Sequence, residues 1–239
     1  MQLEQDHFLD IINNYRYERK YTVSSKVPIK ELISLVKSNT GFFREVYYKR
    51  QINNIYFDSE AFKFYFDNVD GVADRQKVRI RWYGNTFEEI SKPKLEIKIK
   101  KGLVGDKWTY NLSPFVLNNG FSGNVYKDIL KNSNLPLPIL EMVRHLKPTL
   151  LNSYSRQYFL SADEKFRITL DYDILYRKID LKINNFNKFP QPDENNVVEL
   201  KYGLEDDQSA NIISNQFPFR MSKNSKYVNG VNNFQTFPE

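Results

Sequence analysis

Charged and apolar residues alternate strictly in several segments of this chain. Residues 77–82 read Lys-Val-Arg-Ile-Arg-Trp, and residues 95–100 read Leu-Glu-Ile-Lys-Ile-Lys. Successive side chains of a strand point to opposite faces, so this period of two predicts strands with one apolar and one charged face. Segments 16–20, 166–171 and 198–202 repeat the pattern. Many short strands with helices between them predict an α+β protein around a large antiparallel sheet or barrel.

The charged faces of these strands are rich in bases. Their basic residues are Arg16, Lys20, Arg79, Arg81, Lys98, Lys100, Arg167 and Lys201, against the acidic residues Glu18, Glu96, Asp171 and Glu199. A single charged face is most simply explained as a face exposed to water. Five such faces together indicate a bound anion, because clustered arginines repel one another and guanidinium groups bind phosphate through paired hydrogen bonds. If the sheet closed with the charges inside, only a polyanion with a metal ion would compensate them.

Composition excludes several kinds of chemistry. The 239 residues include no cysteine and only two histidines, His7 and His145, so thiolate nucleophiles, zinc fingers and iron–sulfur sites are ruled out and Ser-His-Asp triads nearly so. Neither the P-loop nor the Rossmann glycine pattern occurs. No apolar run of about 18 residues is present, and the first eight residues lack the features of a signal peptide. We therefore expect a cytoplasmic protein with a single domain over residues 1–239.

Other elements are predicted between the strands. The spacing of apolar residues predicts helices over Glu4–Asn14 and from Pro28 onward. Lys63–Asn68 is predicted as a strand, and the Ser-Pro pair at 113–114 as the start of a helical region. Asp58, at the end of a predicted strand, is expected to initiate a turn.

Seven segments occur in an order that resembles a known family. They are Arg16–Tyr21, Lys77–Gly84, Leu95–Lys98, Ser155-Arg156, Phe166–Asp171, Val198–Lys201 and Lys223–Tyr227. The set resembles the polyphosphate polymerase domain of the vacuolar transporter chaperone (VTC) family, a branch of the triphosphate tunnel metalloenzymes in the CYTH-like superfamily. The resemblance runs from about Tyr15 to Val231. It implies a closed antiparallel β-barrel with flanking helices, whose lumen binds a triphosphate or polyphosphate with Mg²⁺ or Mn²⁺.

The resemblance also implies the residues of the site. The phosphate-binding residues would be Lys20, Arg79, Arg81, Lys98, Arg156, Lys201, Lys223 and Lys226, together with Lys107 and Arg167, which match the family motifs less closely. Glu199 matches the metal-binding glutamate, with Glu18 and Glu96 as the alternatives. The catalytic set would be Lys20, Arg79, Arg81, Lys98 and Glu199.

The implied activity is metal-dependent transfer of the ATP γ-phosphate onto a polyphosphate chain. Its partners would be ATP or another triphosphate and polyphosphate, with no specific nucleic acid and with membrane association only through another protein. Two alternatives stay open: a triphosphatase with water as acceptor, and a non-catalytic polyanion-binding module. Arg16 stands where the superfamily has a first glutamate, which favours the polymerase over the triphosphatase. Glu199 favours an enzyme, because a simple anion binder has little need for a carboxylate among its bases.

Overall fold

The computed structural model describes residues 16–101 and 104–235. The helix predicted over Glu4–Asn14 lies outside these ranges. The described residues form two compact units, each assembled from three stretches of chain. Unit 1 contains residues up to 49, 155–172 and 194–224, and unit 2 contains residues 50–154, 173–193 and those from 225 onward. The single domain over 1–239 stays a prediction.

Strands account for most of the regular structure. The strands are β1 (Arg16–Ser24), β2 (Arg44–Asp58), β3 (Arg75–Tyr83), β4 (Glu88–Ile90), β5 (Lys94–Lys101), β6 (Val104–Asn111), β7 (Phe115–Leu117), β8 (Lys147–Leu160), β9 (Arg167–Arg177), β10 (Gln191–Pro192) and β11 (Asn195–Gly203). The α-helices are α1 (Ile29–Lys37), α2 (Lys63–Val69), α3 (Gly123–Asn132), α4 (Leu137–Val143), α5 (Asp207–Ser214) and α6 (Lys226–Asn232), and Leu204–Asp206 forms one 3₁₀ turn.

The main sheet has the strand order β1-β11-β9-β8-β2-β3-β5-β6, with β10 paired to β9, while β4 and β7 form a separate pair. The described ladders are antiparallel, which confirms the α+β class with an antiparallel sheet. The predicted closure into a barrel is wrong, because no ladder joins β1 to β6 within the described ranges. The second edge of β1 is instead used inside unit 1, where Tyr21 bridges to Met221 and the Ser222 N–H donates to the Lys20 carbonyl at 2.8 Å.

The apolar strand faces of unit 1 form its core. Tyr21 and Val23 of β1 are buried with Val198 and Leu200 of β11 and with residues of β9. Helices α1 and α5 cover them with Leu32, Val36, Ala210 and Ile213. Complete burial of one such aliphatic side chain contributes about 1.5–3 kcal/mol. The apolar faces predicted from the period of two are confirmed here.

Unit 2 repeats this arrangement with other residues. The apolar faces of β3 and β5 are buried in one cluster through Val78, Ile80, Trp82, Leu95 and Ile97. Helices α3 and α4 cover the cluster with Tyr126, Ile129, Leu130, Ile139 and Val143. In each unit, therefore, the charged faces lie on the side of the strands away from the helices that cover its core.

The strand predicted over Lys63–Asn68 is wrong, because these residues lie in α2. Asp58 explains the difference: its buried carboxylate accepts hydrogen bonds from the backbone N–H groups of Phe64 and Tyr65, each at 2.9 Å. These groups belong to the first turn of the helix, where N–H donors have no partner within the helix. Burial raises the pKa of Asp58, and these hydrogen bonds and the one from Tyr227 oppose that shift. Asp58 therefore holds the start of a helix rather than only a turn.

The region after the Ser-Pro pair at 113–114 also differs from the prediction. It first forms β7, in which Phe115 pairs with Ile90 of β4, and α3 starts only at Gly123. Three residues are too few to display a period, so local sequence could not reveal this strand.

The described part of the chain contains no helix both long and apolar enough to cross a membrane.

Candidate anion-binding site

The charged faces of β1, β11 and β9 lie side by side in unit 1. Lys20 is opposite Glu199, and Glu199 is opposite Thr169. In the neighbouring row Glu18 is opposite Lys201, which is opposite Arg167. Directly opposite residues of antiparallel strands point to the same face, with Cβ atoms about 4.5–5.5 Å apart. Residues from three distant parts of the sequence are thereby placed together.

Glu199 is the centre of this face. Its Oε1 lies 3.3 Å from Lys20 Nζ, and its Oε2 lies 3.3 Å from Lys201 Nζ and 3.7 Å from Arg156 Nη2. Lys20 Nζ also lies 2.9 Å from Glu18 Oε1. Burial lowers the pKa of Lys20, but the charges of Glu199 and Glu18 outweigh burial and raise that pKa overall. We call Glu18, Lys20, Arg156, Asp171, Glu199 and Lys201 the Glu199 cluster.

Arg156 is positioned by a carboxylate that the sequence did not single out as a site residue. Its Nε and Nη2 donate to the two oxygens of the fully buried Asp171 at 2.5 and 2.6 Å. This paired geometry fixes the plane of the guanidinium group. Alternation along β9 could have indicated that Asp171 belongs to the site, because it places Asp171 on the same strand face as Arg167.

Two further predicted phosphate ligands lie beside this cluster. Arg167 is half-buried opposite Lys201, and within the described residues its guanidinium makes no ion pair. Lys223 is exposed and follows the Met221–Ser222 segment that lines the edge of β1. Lys20 Nζ donates to the Asn224 carbonyl at 3.4 Å, which brings this segment to the cluster.

The charged faces of unit 2 contain a row of three lysines. Lys77 of β3 is opposite Lys98 of β5, and Lys98 is opposite Lys107 of β6. Like charges directly opposite one another destabilise a sheet. Lys77 Nζ donates to Ser225 Oγ at 3.0 Å, which orients the ammonium group.

Glu96 is the centre of the next row. Its Oε2 accepts from Arg79 Nε at 2.8 Å and from Arg79 Nη2 at 2.6 Å, and it lies 3.6 Å from Arg81 Nη1. Lys107 Nζ lies 3.4 Å from the other oxygen, Oε1. Burial raises the pKa of Glu96, but the charges of Arg79 and Arg81 outweigh burial and hold that pKa at about 2. Arg79, Arg81, Glu96 and Lys107 form the Glu96 cluster.

Neutral side chains orient Arg81 in ways that local sequence did not predict. Its Nε donates to Asn54 Oδ1 at 2.8 Å, and its Nη2 donates to the Tyr154 hydroxyl at 3.2 Å. Lys226 Nζ lies 4.8 Å from the centre of the Tyr154 ring, which joins the predicted Lys226 to this group. Asn54 is completely buried in the second half of β2, where Ile52, Ile55 and Phe57 are also buried. An asparagine among buried apolar residues needs a hydrogen-bond partner, and this is the signal that the sequence offers.

The structure thus brings most of the predicted site residues together within two groups. Lys20, Arg156 and Lys201 surround Glu199 in unit 1, and Arg79, Arg81 and Lys107 surround Glu96 in unit 2. Lys98 lies in the lysine row beside the Glu96 cluster. That all of them line one lumen stays a prediction.

The carboxylates differ in their suitability for a metal ion. The described residues contain no group of three or more His, Cys, Asp and Glu residues that could hold one. A hard cation such as Mg²⁺ needs only one or two carboxylates when substrate phosphates supply the other oxygens. Glu199 fits this requirement, because the buried hydroxyl of Thr169 opposite it has no hydrogen-bond partner within the described residues. Glu96 is already bound by two N–H groups of one guanidinium, as in a structural ion pair.

Comparisons with known proteins agree with this fold. Subunit 2 of the vacuolar transporter chaperone complex of Saccharomyces cerevisiae is 27% identical, over 54% of this chain and 19% of that protein. The chain therefore spans about a fifth of that relative. An X-ray structure of a candidate adenylate cyclase from Vibrio parahaemolyticus matches with a TM-score of 0.50 at 12% identity, over 90% of this chain and 98% of that one. This second likeness concerns the fold alone.

The family model agrees with the motifs quoted from the sequence. It covers all seven segments, including the strands that form the Glu199 and Glu96 clusters. The model of the VTC domain matches residues 15–235, and the chain belongs to the VTC domain family.

Proposed function

We propose that this protein is a metal-dependent phosphotransferase that moves the γ-phosphate of ATP onto a polyphosphate chain. The lysine row of Lys77, Lys98 and Lys107 is the observation that carries the proposal. Directly opposite like charges repel one another across a sheet, and of the three lysines Lys107 also lies 3.4 Å from Glu96 Oε1. A chain of phosphates would turn that repulsion into attraction, which accounts for the row.

The chain's own residues would act by binding and orientation. Arg81, fixed by Asn54 and Tyr154, would present its remaining N–H groups to phosphate oxygens in a constant geometry. Arg156 would do so in unit 1, where Asp171 holds it. Phosphoryl transfer depends mainly on positioning and on stabilisation of charge, so such bases suffice without a covalent nucleophile. This agrees with the absence of cysteine.

Glu199 is the residue that we assign to the metal. A bound Mg²⁺ or Mn²⁺ would neutralise charge on phosphate oxygens. Lys20, Lys201 and Arg156 already surround the carboxylate, so a cation would be repelled unless phosphate neutralises these bases. We therefore expect the metal to bind together with the phosphate chain and weakly without it.

A polyanion-binding module without catalysis is the second candidate. The observation that favours it is that three bases already surround the carboxylate of Glu199 and three others surround that of Glu96. In that case the carboxylates would only keep the bases in place. The triphosphatase would use the same residues and differ only in its acceptor, water.

One experiment separates the three functions. The protein is incubated with ATP and Mn²⁺, and the products are analysed on a polyphosphate gel and by an assay for released phosphate. A ladder of polyphosphate supports the proposal, while phosphate release without a ladder identifies a triphosphatase. Binding of tripolyphosphate with neither product identifies the binding module. Glu31→Gln, which alters an exposed carboxylate on α1, is the matched control for loss of activity in Glu199→Gln.

The cellular setting of this activity stays a prediction. ATP and polyphosphate are the expected partners, the cytoplasm is the expected location, and another protein would supply any association with a membrane.

A further inference from the structure

Thr169 has an unusual position for a buried hydroxyl. Its side chain is only 2% exposed, and Oγ1 makes no hydrogen bond within the described residues. It shares a strand face with Arg167 and Asp171 and lies directly opposite Glu199. The hydroxyl therefore lies in the candidate site and not in the apolar core on the other face of β9.

An unsatisfied buried hydroxyl is costly. Leaving a buried donor or acceptor without a partner costs its lost hydration, whereas an apolar group of the same shape would avoid that cost. Valine has nearly the shape of threonine and is more favourable in a strand interior. If Thr169 had only a packing role, Thr169→Val would stabilise the protein and change nothing else.

The electrostatics around Glu199 differ between its two neighbours in the row. Lys20 lies on one side, where it repels any cation, and the neutral Thr169 lies on the other. Asp171 is two residues further along β9, about 7 Å away by the rise of a strand, and Arg167 is two residues away in the opposite direction. Of the two neighbours of Glu199 in this row, Thr169 thus offers an oxygen without a positive charge.

We propose that the Thr169 hydroxyl is the second protein oxygen of the cation site at Glu199, binding the divalent cation directly or through one of its waters. This inference rests on the proposed function, since it needs a cation bound with phosphate. Hydroxyl oxygens of Ser and Thr serve hard cations in this way beside phosphates elsewhere. A neutral hydroxyl adds an oxygen ligand to the cation. It adds no negative charge that would attract the bases around Glu199 more strongly.

The test measures metal binding rather than turnover. Mn²⁺ is titrated into the protein saturated with tripolyphosphate, and bound Mn²⁺ is measured by water proton relaxation. Metal-free tripolyphosphate affinity and the melting temperature are measured in parallel. Chelation of Mn²⁺ by free tripolyphosphate is the same for every variant, so ratios between variants report the protein alone. The variants are Thr169→Val, Thr169→Ser and the control Tyr21→Phe, which removes a buried hydroxyl from the apolar face of β1.

We expect Thr169→Val to weaken Mn²⁺ binding by about tenfold, the low end for loss of a group that supports a metal site. Its metal-free tripolyphosphate affinity should stay within about twofold of the parent, and its melting temperature should not fall. Thr169→Ser should restore Mn²⁺ binding, and Tyr21→Phe should leave it unchanged.

Three results would overturn the inference. The first is that Thr169→Val binds Mn²⁺ as tightly as the parent while Glu199→Gln no longer binds it. The second is that Thr169→Ser binds Mn²⁺ as weakly as Thr169→Val. The third is an equal loss of metal-free tripolyphosphate affinity, which would make the hydroxyl a phosphate ligand. Failure of the proposed function is seen separately, in the parent protein: if it binds no tripolyphosphate with or without Mn²⁺, both proposals fall.

Discussion

Glu199 and Glu96 are both buried carboxylates within reach of three bases, yet their immediate neighbours differ. Glu96 receives two N–H groups of Arg79, and its opposite residue on β6, Thr109, is exposed. Glu199 has the buried, unpartnered hydroxyl of Thr169 opposite it. From these differences we propose that Glu96 positions the bases and that Glu199 binds the metal. Each assignment leads to a separate prediction.

Glu199→Gln should separate metal binding from anion binding. The amide keeps the shape of the side chain but removes the negative charge, so a divalent cation loses its carboxylate. Lys20, Lys201 and Arg156 become less neutralised and should bind metal-free tripolyphosphate at least as tightly as before. Turnover with Mn²⁺ or Mg²⁺ should fall to background, while the dissociation constant from metal-free calorimetry stays level or decreases. Intact metal-dependent turnover would transfer the metal role to Glu18 or Glu96.

Glu96 should make stability depend on pH in the acid range. Its pKa is about 2 in the folded protein and 4.5 ordinarily, so its folded-state pKa is depressed. The stability contributed by such a carboxylate is complete above pH 4.5 and is lost as the pH falls towards 2, on the order of 3 kcal/mol in total. The difference in unfolding free energy between parent and Glu96→Gln should therefore be constant from pH 6 to 8 and shrink below about pH 4.5. Urea unfolding across this range measures it, and a difference independent of pH would contradict the assignment.

At the scale of elements, the informative unit is the ladder β3-β5-β6. Its apolar face is buried under α3 and α4, which fixes the register, and that register places Lys77, Lys98 and Lys107 opposite one another. A slip by one residue would expose Val78, Ile80 and Ile97 instead. Burial on one face thus places three bases together on the other, and we expect an anion to bind them.

Lys98→Ala should weaken the response of the protein to anions. Lys98 is the central lysine of the row, so its loss removes one of the positive charges that attract phosphate. The rise in melting temperature caused by tripolyphosphate should be smaller than in the parent at low salt, and this difference should shrink as salt screens the charges. Lys101→Ala is the matched control, because Lys101 is an exposed lysine on the same strand that alternation places on the other face. Equal behaviour of the two variants would argue against a special role for the row.

At the scale of the whole molecule, each unit has its own helix-covered core and its own carboxylate surrounded by bases. The carboxylates are unequally distributed: Glu18, Asp171 and Glu199 belong to unit 1, whereas Glu96 lies among the bases of unit 2. Each cluster can be tested as an anion site by one variant in its own unit.

A variant in either cluster should weaken the binding of tripolyphosphate. Arg81→Ala should cost about 1.5–3 kcal/mol of binding free energy, the range for a hydrogen bond to a charged group, and Lys201→Ala should cost a similar amount. Calorimetry measures the affinity. Arg44→Ala, which breaks an exposed ion pair with Glu164, serves as the control. Parental affinity in both cluster variants would contradict the assignment of these bases to anion binding.

The sequence alone determined which strand faces are apolar and which are charged, because alternation is a local property that every strand must obey. Its motifs also led to the family that the comparison confirmed. Local pattern failed at Lys63–Asn68, where three consecutive aromatic residues favour a strand. A buried carboxylate from the preceding strand holds a helix there instead.

Only the tertiary structure decided which charges meet. The Lys20–Glu199–Thr169 row, the lysine row and the contact of Arg81 with Tyr154 join segments far apart in the chain. Such neighbours follow from strand order and register, which depend on how two hydrophobic cores are packed and not on spacing within any one segment. Closure of the sheet was likewise outside the reach of local pattern, because whether β1 pairs with a distant strand or with Met221 depends on the path of the whole chain.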